Sequence, residues 1–476
     1  MILALDLGTT NWKAALIAPE GRVTALCAIP TPMTEEDGHP CYDPAAMPGH
    51  LRSLLGQLPT LEVERIALTG MAEAGVMLSR SDLTPLSMIW PWFDRRALPL
   101  YEKVKDSAPF AGREGVTGLP NGFKYGIYKY LTLLKNAPIA PENTLWCGLV
   151  AYAAHLFTGE IAEDMTLAAR TACLDIRAEN RVWDADFLAN LGLTAANFPR
   201  ITAPGAPVGV TKGSDFGLKA GIPVHIGGHD HVCAAHAVDA LATGRCFLST
   251  GTAQVMLRPA DAIDASTGLS YGPCPDYGTG AVGMPYTCLG SIQSAGGSIN
   301  YWRKLLFPGE DYAVLMQEAA AASPSRLMYF PYLAGRGAPH LDPHARGGLV
   351  GLSDDATRGE IIAAVYEGIA CETRAVLHSM GHASGEGIIC LGGLTRHETY
   401  MQTLADVTGS PVHVPAIDEG TLYGAARLAE PSLPPLTIAR TYVPDARRHA
   451  WWTRRWETRY LPMTHLMRTE ESPWIE

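Results

Sequence analysis

Several features that mark common protein classes are missing from this chain of 476 residues. None of its ten cysteines forms a C-x-x-C pair or a spacing typical of zinc ligands. No window approaches the run of about 18 apolar residues that a membrane helix needs. The opening "MILALDL" also lacks the basic segment that precedes an apolar stretch in a secretory signal. We therefore expect a reduced, cytoplasmic protein that does not enter a membrane.

Positive charge is scarce as well. Lysine and arginine total 37 against 48 acidic residues, which gives a formal net charge of −11, and no long block of like charge occurs. This balance argues against a nucleic acid or an anionic membrane surface as the main partner. We expect the partner to be a small molecule.

Two common nucleotide-binding motifs are absent or out of context. The chain contains no Gly-Lys dipeptide, so the Walker A loop is excluded. The segment "GTGAVG" (278–283) fits G-x-G-x-x-G, but it follows a loop and precedes the strand-like "MPYTCLG". Without a strand before it and a helix after it, the segment is predicted to be a glycine-rich turn.

What is present is an alternation of strand and helix patterns in both halves, which predicts an α/β fold. The chain is long enough for two domains, and 47% of its residues are apolar. We place the domains at 1–240 and 241–476, packed around a shared cleft. Weak repetition supports two similar halves, because "MILALDLGTTNWKAALI" and "RCFLSTGTAQVMLRP" both place a small-residue turn between apolar strands. We also predict that "TLWCGLVAYAAHLFTGE" is helical up to Gly159.

The two small-residue turns are candidates for binding phosphate. Backbone N–H groups and hydroxyls in such turns can approach phosphate oxygens closely. The first turn, "DLGTT", also carries Asp6, a carboxylate suited to binding Mg²⁺ through water. An ordinary hairpin is the alternative for "DLGTT" alone, but the matching "STGT" (249–252) favours phosphate binding.

The stretch "IGGHDHVCAAH" (226–236) admits two interpretations. His229, His231 and His236 could imitate a zinc site around Asp230. Alternatively, the strand "PVHIGG" turns at Gly227-Gly228 and Asp230 begins a helix, so that its neighbours point in different directions. We favour the second interpretation, in which Asp230 faces a cleft as a base for a substrate hydroxyl.

Further polar residues in the first half suit a polyhydroxylated ligand. Glu73 follows the strand "RIALTG", and "WPWFDRRA" supplies Trp92, Asp94 and Arg96. Carboxylates can accept hydrogen bonds from hydroxyl groups, and an indole can pack against the C–H face of a sugar. The alternative is a surface ion pair beside a core tryptophan.

These segments together resemble the FGGY carbohydrate kinase family over nearly the whole chain. The most specific piece is "GGLVGLSDDATRGEIIAAVYE" (347–367), which is similar to the family's C-terminal signature. Six further segments are similar too and occur in the family's order: "DLGTT", "WFDRRA", "YAAHLFTGEIAEDMTLAARTACLDI", "PVHIGGHD", "YFPYLAGRGAPHLDPHARG" and "GGLTRHETYMQTLADVTGSPV".

The resemblance implies two ribonuclease-H-like domains of the actin/hexokinase superfamily around an ATP cleft, with possible homodimers. It also implies roles by position. Asp230 would be the catalytic base and Asp6 the Mg²⁺ site, with Glu73, Trp92, Asp94 and Asp230 binding substrate. The ATP-binding positions would be Gly8, Thr9, Thr10, Lys13, Thr250, Gly251, Thr252, Gly392 and Gly393.

The sequence also departs from known subgroups. Glycerol kinases carry an arginine before the sugar-binding glutamate, where this chain has Ala72, and xylulose kinases carry a Met-His pair in place of Ala72-Glu73. The histidines around Asp230 are unusual as well, and we treat contact of His229 or His231 with substrate or phosphate as a hypothesis.

We expect an ATP- and Mg²⁺-dependent kinase that phosphorylates a hydroxyl of a small sugar, ketose or polyol. An ATPase of the actin or Hsp70 type is the main alternative, because "DLGTTN" is also similar to the opening of Hsp70 proteins. A zinc hydrolase built on the histidines is a third.

Overall fold

The computed structural model describes residues 1–59, 62–278, 281–417 and 419–467, with the side chain of Ser214 excepted. The strands are β1 (Ile2–Leu7), β2 (Asn11–Ile17), β3 (Val23–Pro30), β4 (Thr34–Glu36), β5 (His39–Cys41), β6 (Arg65–Gly70), β7 (Gly75–Ser79), β8 (Thr144–Gly148), β9 (Ala162–Asp164), β10 (Leu174–Asp175), β11 (Val182–Trp183), β12 (Arg200–Thr202), β13 (Pro207–Val210), β14 (Pro223–His229), β15 (Cys246–Thr250), β16 (Gln254–Ala260), β17 (Ser270–Pro273), β18 (Tyr286–Ile292), β19 (Met328–Phe330), β20 (Gly348–Val350), β21 (Ile388–Leu391), β22 (Val412–Pro415) and β23 (Ile438–Tyr442).

The helices alternate with these strands, which confirms the α/β class. They are α1 (Met47–Leu55), α2 (Leu98–Val104), α3 (Glu114–Thr117), α4 (Gly126–Asn136), α5 (Leu149–Thr158), α6 (Met165–Ala168), α7 (Ala185–Asn190), α8 (Asp230–His236), α9 (Gly296–Leu306), α10 (Tyr312–Ala322), α11 (Arg358–Ser379), α12 (Glu398–Thr408), α13 (Gly420–Ala429), α14 (Ala446–Arg455) and α15 (Leu461–Thr464). The long helix α11 begins with a capping box, in which Thr357 and Glu360 satisfy each other's backbone N–H groups.

The two large sheets share one plan. The first has the order β13-β14-β6-β1-β2-β3, and the second has the order β17-β18-β16-β15-β21-β22-β23. In each, one antiparallel hairpin (β1-β2 or β15-β16) joins two parallel strands (β6 and β14, or β21 and β22). Equivalent hairpins therefore place the two predicted phosphate-binding turns at equivalent ends of the two sheets.

Two helices, α8 and α13, pack against each other between the sheets. They share an apolar cluster with β1, β2, β15 and β16. Gly424 of α13 makes this packing possible, because a Cβ atom there would lie 1.7 Å from the carbonyl oxygen of Cys233 in α8. The helix that carries Asp230 is thus held between the two halves.

Two local predictions are wrong. Residues 144–148 form β8 instead of the first part of a helix, because this fully buried segment pairs with β7. The predicted turn at Gly227-Gly228 is absent, because β14 runs on to His229 with a register shift after Ile226. Helix α5 does end at Gly159, which adopts the left-handed conformation expected there.

Other sequence expectations have mixed outcomes. In "GTGAVG", residues 279 and 280 lie outside the described part of the chain, and the strand β18 follows instead of a helix. The domain limits 1–240 and 241–476 stay a prediction, although the chain passes from one sheet to the other between β14 and β15. Within the described residues, no helix is both long and apolar enough to span a membrane.

Candidate active site

The turns after β15 and β21 meet at the carboxyl ends of these two parallel strands, in the middle of the second sheet. Thr250 is buried, and its Oγ1 donates to the carbonyl oxygen of Leu391 at 3.0 Å. Gly392 has a φ of +111°, and a Cβ atom there would lie 2.5 Å from the Thr250 carbonyl oxygen. The structure therefore brings Thr250, Gly251 and Thr252 next to Gly392 and Gly393.

The first turn carries a carboxylate in an unusual environment. Asp6 pairs with Lys13 in the β1-β2 register, but the Lys13 ammonium bonds both oxygens of Glu419, at 2.8 and 2.9 Å. Burial, followed by repulsion from Asp230, raises the pKa of Asp6 to about 8. Its Oδ1 is buried without a hydrogen-bond partner among the described residues. An orphaned carboxylate oxygen near a second carboxylate fits a divalent cation.

Asp230 lies where β14 ends and α8 begins. Its Oδ1 accepts the backbone N–H of His231 at 2.7 Å. The Nε2 atoms of His229 and His231 lie 3.3 and 3.9 Å from the same oxygen. Within the described part of the protein, all these contacts involve Oδ1. The other oxygen, Oδ2, can therefore bind a ligand. Burial lowers the pKa of His229 to about 4, so its ring is neutral near pH 7.

The histidines next to Asp230 contradict the expectation that the neighbours of Asp230 point in different directions. One ligand atom from each of His229, Asp230 and His231 lies within 4.8 Å of the others, which is close enough to hold a metal ion. Neighbouring side chains converge here because the backbone changes from strand to helix between them. His236 does not join them, since its Nδ1 lies 3.0 Å from Asp276 Oδ1.

Glu73 is the centre of a cluster of charged side chains. Its Oε1 accepts a hydrogen bond from Arg170 Nε at 2.9 Å, and Lys124 Nζ lies 3.5 Å away. Burial alone would raise the pKa of Glu73, but the cations of Arg170 and Lys124 hold it well below its usual range. His229 neighbours both Glu73 and Asp230, so this cluster lies beside Asp230.

Lys129, on α4, fixes the backbone of the two loops that carry Glu73 and Trp92, the predicted substrate-binding residues. Its side chain is fully buried, and Nζ donates to the carbonyl oxygens of Glu73 at 2.5 Å and Pro91 at 2.6 Å. Glu73 has a φ of +59°, which a non-glycine residue adopts only when its surroundings hold it there. Lys129 therefore sets the position of Glu73 relative to Trp92, which follows Pro91.

Trp92 and Asp94 differ in their surroundings. The Trp92 side chain is 37% exposed, and its Nε1 donates to Thr9 Oγ1 at 3.1 Å, which connects it to the first predicted phosphate-binding turn. Asp94 has a fully buried side chain whose two oxygens both accept hydrogen bonds from Arg96. Arg96 also pairs with Glu36. The structure therefore does not present Asp94 as a free acceptor for a ligand, and the ion-pair alternative describes it better.

Four residues of this site escaped the sequence analysis. Arg170, Lys124, Lys129 and Glu419 reach Glu73 or Lys13 from segments distant in the chain. None of them belongs to a short motif with a known spacing. Arg170 alone lay in a segment with a visible signal, because "MTLAART" places a lone arginine among small and apolar residues.

Comparison with known proteins identifies the fold and its chemistry. The model of the FGGY family of carbohydrate kinases, N-terminal domain, matches residues 1–237, and the C-terminal domain model matches residues 241–430. The chain belongs to the FGGY family of carbohydrate kinases. It therefore has the actin/hexokinase-like fold of two ribonuclease-H-like domains that the sequence predicted.

Relatives of this FGGY protein include glycerol and xylulose kinases. It is 27% identical to the glycerol kinase of Thermus brockianus, over 89% of this chain and 88% of that protein. It is 25% identical to the xylulose kinase of Bacillus subtilis, over 90% and 87%. Plasmodium falciparum glycerol kinase, solved with ADP, superposes with a TM-score of 0.85 at 20% identity and 97% coverage of both chains.

The family settles the reaction class. This FGGY protein is a carbohydrate kinase, and it transfers a phosphoryl group from ATP to a hydroxyl of a small sugar or polyol. The alternatives of an actin- or Hsp70-type ATPase and of a zinc hydrolase do not describe it.

Proposed function

We propose that Asp230 is the general base of this kinase. The observation that supports this role is its place between two groups of charged residues. On one side its charge acts on Asp6, at the first phosphate-binding turn, and on the other it adjoins His229 and the Glu73 cluster. A carboxylate at that point can reach an acceptor hydroxyl that faces the terminal phosphate of ATP.

In the phosphoryl transfer from ATP to the acceptor, one bond to phosphorus forms, another breaks and one proton moves. The acceptor hydroxyl gives its proton to Asp230 Oδ2 as its oxygen forms a bond to the γ-phosphorus of ATP. The bond between that phosphorus and the β,γ-bridging oxygen breaks, and ADP leaves. The backbone N–H of His231 holds Oδ1, and the His229 ring lies 3.3 Å from the same oxygen, which leaves Oδ2 for the acceptor. Catalysis then depends mainly on the positions of these groups.

We assign nucleotide binding to the two small-residue turns after β1 and β15. Gly8, Thr9 and Thr10 on the first sheet, and Thr250, Gly251 and Thr252 on the second, would hold the phosphates through backbone N–H groups and hydroxyls. Gly392 and Gly393 would border the adenosine. Lys13 would approach the phosphates only by loosening its bond to Glu419, so we expect this pair to respond to ATP.

Mg²⁺ is the cation that we assign to Asp6. The orphaned Oδ1 of Asp6 fits such an ion. Bound with ATP, Mg²⁺ supplies charge neutralisation for the phosphate oxygens.

The acceptor is assigned to the space between Asp230, Glu73 and Trp92. Glu73 would accept hydrogen bonds from acceptor hydroxyls, and Trp92 would cover an apolar face of the molecule. Asp94, bound to Arg96, would orient the Trp92 loop. This is a positioning role in place of the direct contact that the sequence suggested.

The proposal is tested by ADP release from the wild-type protein with ATP and Mg²⁺. Ketoses, aldoses and alditols of three to seven carbons should be compared with an assay that contains no acceptor. We expect one or a few acceptors to raise ADP release at least about 10-fold. ADP release of equal rate with every addition, and without any, would contradict an acceptor site at Glu73 and Asp230.

A further inference from the structure

Three neighbouring side chains converge where β14 meets α8. His229, Asp230 and His231 each offer one possible ligand atom, and these atoms lie within 4.8 Å of one another. In the part of the chain that the structure describes, no other group of three histidine, cysteine, aspartate or glutamate side chains comes this close. The two rings meet edge to face, with their centroids 5.4 Å apart. The convergence is therefore particular to this junction between strand and helix.

The separations of these atoms fit a tetrahedral metal ion. In a tetrahedral zinc site, bonds of about 2.0–2.2 Å to imidazole nitrogen and carboxylate oxygen place neighbouring ligand atoms about 3.4 Å apart. His229 Nε2 lies 3.3 Å from Asp230 Oδ1, which already matches this spacing. His231 Nε2 lies 3.9 Å from the same oxygen, and its side chain is 31% exposed. A small rotation of His231 therefore completes the geometry.

The two histidine rings are also free of competing partners. Among the described residues, Asp230 is the only ion-pair or hydrogen-bond partner of the His229 and His231 rings. The buried His225 differs, because its Nδ1 is bonded to the backbone carbonyl of Gly205 at 2.8 Å. A histidine that serves only the core is fixed in that way. The rings beside Asp230 have nitrogen atoms that a metal ion can bind.

The surroundings admit a cation from the cleft. The side chains of Asp230 and His231 are partly exposed, and His229 closes the inner side. Arg170, whose positive charge acts on His229, is bonded to Glu73, whose negative charge acts on His229 in the opposite sense. The three ligands leave a fourth position open to water, as in zinc sites that are not closed structural centres.

Nitrogen ligands distinguish this position from the one assigned to Mg²⁺ at Asp6. Mg²⁺ prefers oxygen ligands and keeps several of its waters, whereas imidazole suits zinc and other transition metals. A pair of imidazoles beside one carboxylate therefore favours a transition metal ion over Mg²⁺. The carboxylate involved is that of Asp230, which is assigned as the base, so an ion bound here cannot leave the reaction unaffected.

From this geometry we propose that His229, Asp230 and His231 bind Zn²⁺ or a similar divalent transition metal ion, and that the bound ion inhibits phosphoryl transfer. The ion binds the Asp230 carboxylate and stands where the acceptor hydroxyl would approach, so the hydroxyl cannot give up its proton there. Removal of the ion frees the carboxylate again. The inhibitory effect rests on the proposed function of Asp230, whereas metal binding itself does not.

The first test measures metal binding directly. Zn²⁺ is titrated into the wild-type protein against a chromophoric chelator, without ATP, Mg²⁺ or acceptor. We expect one ion per chain, with binding at least about 10-fold weaker in His229→Gln and in His231→Gln, because even the loss of an outer partner of a ligand costs this much. His236→Gln is the matched control, since His236 lies on the same helix but contacts Asp276. It should bind Zn²⁺ as the wild type does.

Co²⁺ provides a spectroscopic readout of the ligands. Its visible absorption in the wild-type protein should show nitrogen and oxygen ligands in a site of low coordination number, without the intense bands that a thiolate ligand produces. The spectrum should be lost in His231→Gln and kept in His236→Gln. Thiolate bands would assign the ion to a cysteine and overturn the proposed site.

The second test measures inhibition. ADP release is followed with excess ATP and Mg²⁺, the best acceptor below its KM, and free Zn²⁺ far below the ATP concentration. At a free Zn²⁺ concentration of about ten times the measured Kd, the wild type should keep about a tenth of its rate. A zinc-selective chelator should restore the rate. Each variant is compared with its own rate without zinc, and His231→Gln should lose much less of that rate than His236→Gln.

The outcomes separate this inference from the proposed function. Absence of stoichiometric Zn²⁺ binding, or equal binding in both histidine variants and the wild type, would overturn the site. Binding that is lost in Asp6→Asn but kept in His231→Gln would assign the ion to the Mg²⁺ position and overturn it as well. Binding without inhibition would overturn the inhibitory role. Failure of Asp230 as the base would instead appear as normal turnover of Asp230→Asn in the absence of zinc.

Discussion

Two Arg–Glu pairs in this protein use the same chemistry for different purposes. Arg336 and Glu372 form a pair in the second half with both side chains 2% exposed. Tyr332 and Tyr460 donate to the second oxygen of Glu372, at 2.9 and 3.0 Å. Its carboxylate is thus enclosed by protein groups on both oxygens, and the pair belongs to the core.

The pair of Arg170 and Glu73 is open on one side. Arg170 and Lys124 both contact Glu73 Oε1, and Lys124 is partly exposed. The comparison teaches that a buried ion pair alone does not indicate a functional site. Glu73 differs because, among the described residues, its cation contacts are all made to Oε1, and one of these cations, Lys124, is partly exposed.

The largest effect is expected where the enclosed pair is broken. Glu372→Gln should lower the free energy of unfolding by about 3–5 kcal/mol, because it leaves Arg336 as an uncompensated buried charge. Chemical denaturation measures this change. The double variant Arg336→Met, Glu372→Met should recover much of the loss, and the acceptor KM of the folded protein should not change. An altered KM would show that this pair is not purely structural.

Breaking the pair of Arg170 and Glu73 should reduce activity more than stability. Glu73→Gln should lower kcat/KM for the acceptor about 10- to 100-fold, because a charged hydrogen-bond acceptor is lost. The loss of stability should be smaller than for Glu372→Gln, since Arg170 remains next to the cleft. Steady-state kinetics and denaturation of both variants give the comparison. Equal destabilisation with unchanged kinetics in Glu73→Gln would contradict the distinction between the two pairs.

Removal of the Lys129 side chain should have an intermediate effect, on the acceptor KM. Lys129→Met removes the hydrogen bonds to the Glu73 and Pro91 carbonyls, so the acceptor KM should rise about 10-fold while the KM for ATP stays constant. Asn197→Leu is the control, because the Asn197 amide likewise donates to two backbone carbonyls, but to those of Pro141 and Thr144 instead of Glu73 and Pro91. A similar rise of the acceptor KM in both variants would indicate general loosening of the fold.

The last effect appears only as a dependence of stability on pH, and it concerns a buried carboxyl group, Glu163, that forms no ion pair within the described residues. Burial, followed by the charge of Asp164, raises the pKa of Glu163 from 4.5 to about 8. The folded state therefore binds more protons than the unfolded state between these values, and this group's contribution to stability is lost as the pH rises from about 4.5 to 8. In Glu163→Gln the difference in Tm between pH 5 and pH 8 should be smaller than in the wild type. An unchanged difference would show that Glu163 is already ionised at pH 5.

The sequence predicted those parts of the molecule that depend on local patterns. The turns after β1 and β15, the helix that starts at Asp230 and the alternation of strands and helices all follow from spacing and from residues within a few positions. The strand β8 was missed because a short buried apolar run fits a strand and a buried helix equally well. Its pairing with β7, distant in the chain, decided the outcome.

The charges of the acceptor site could not be predicted in the same way. Arg170 lies 97 positions from Glu73, and Lys129 lies 56 positions away. Which cation meets which carboxylate depends on how α4 and the segment after α6 pack against the first sheet. Asp94 shows the converse, since a polar residue in a recognisable motif turned towards Arg96. Local patterns thus predicted the residues of the candidate site, and tertiary packing determined which charges surround them.

The most direct test of the account is the turnover of Asp230→Asn with a saturating acceptor, ATP and Mg²⁺. The amide keeps the shape of the side chain but cannot serve as the base. We predict a loss of at least about 100-fold in kcat, with Tm unchanged within the error of the measurement. Turnover close to that of the wild type would contradict the role of Asp230, and with it the placement of the acceptor between Asp230 and Glu73.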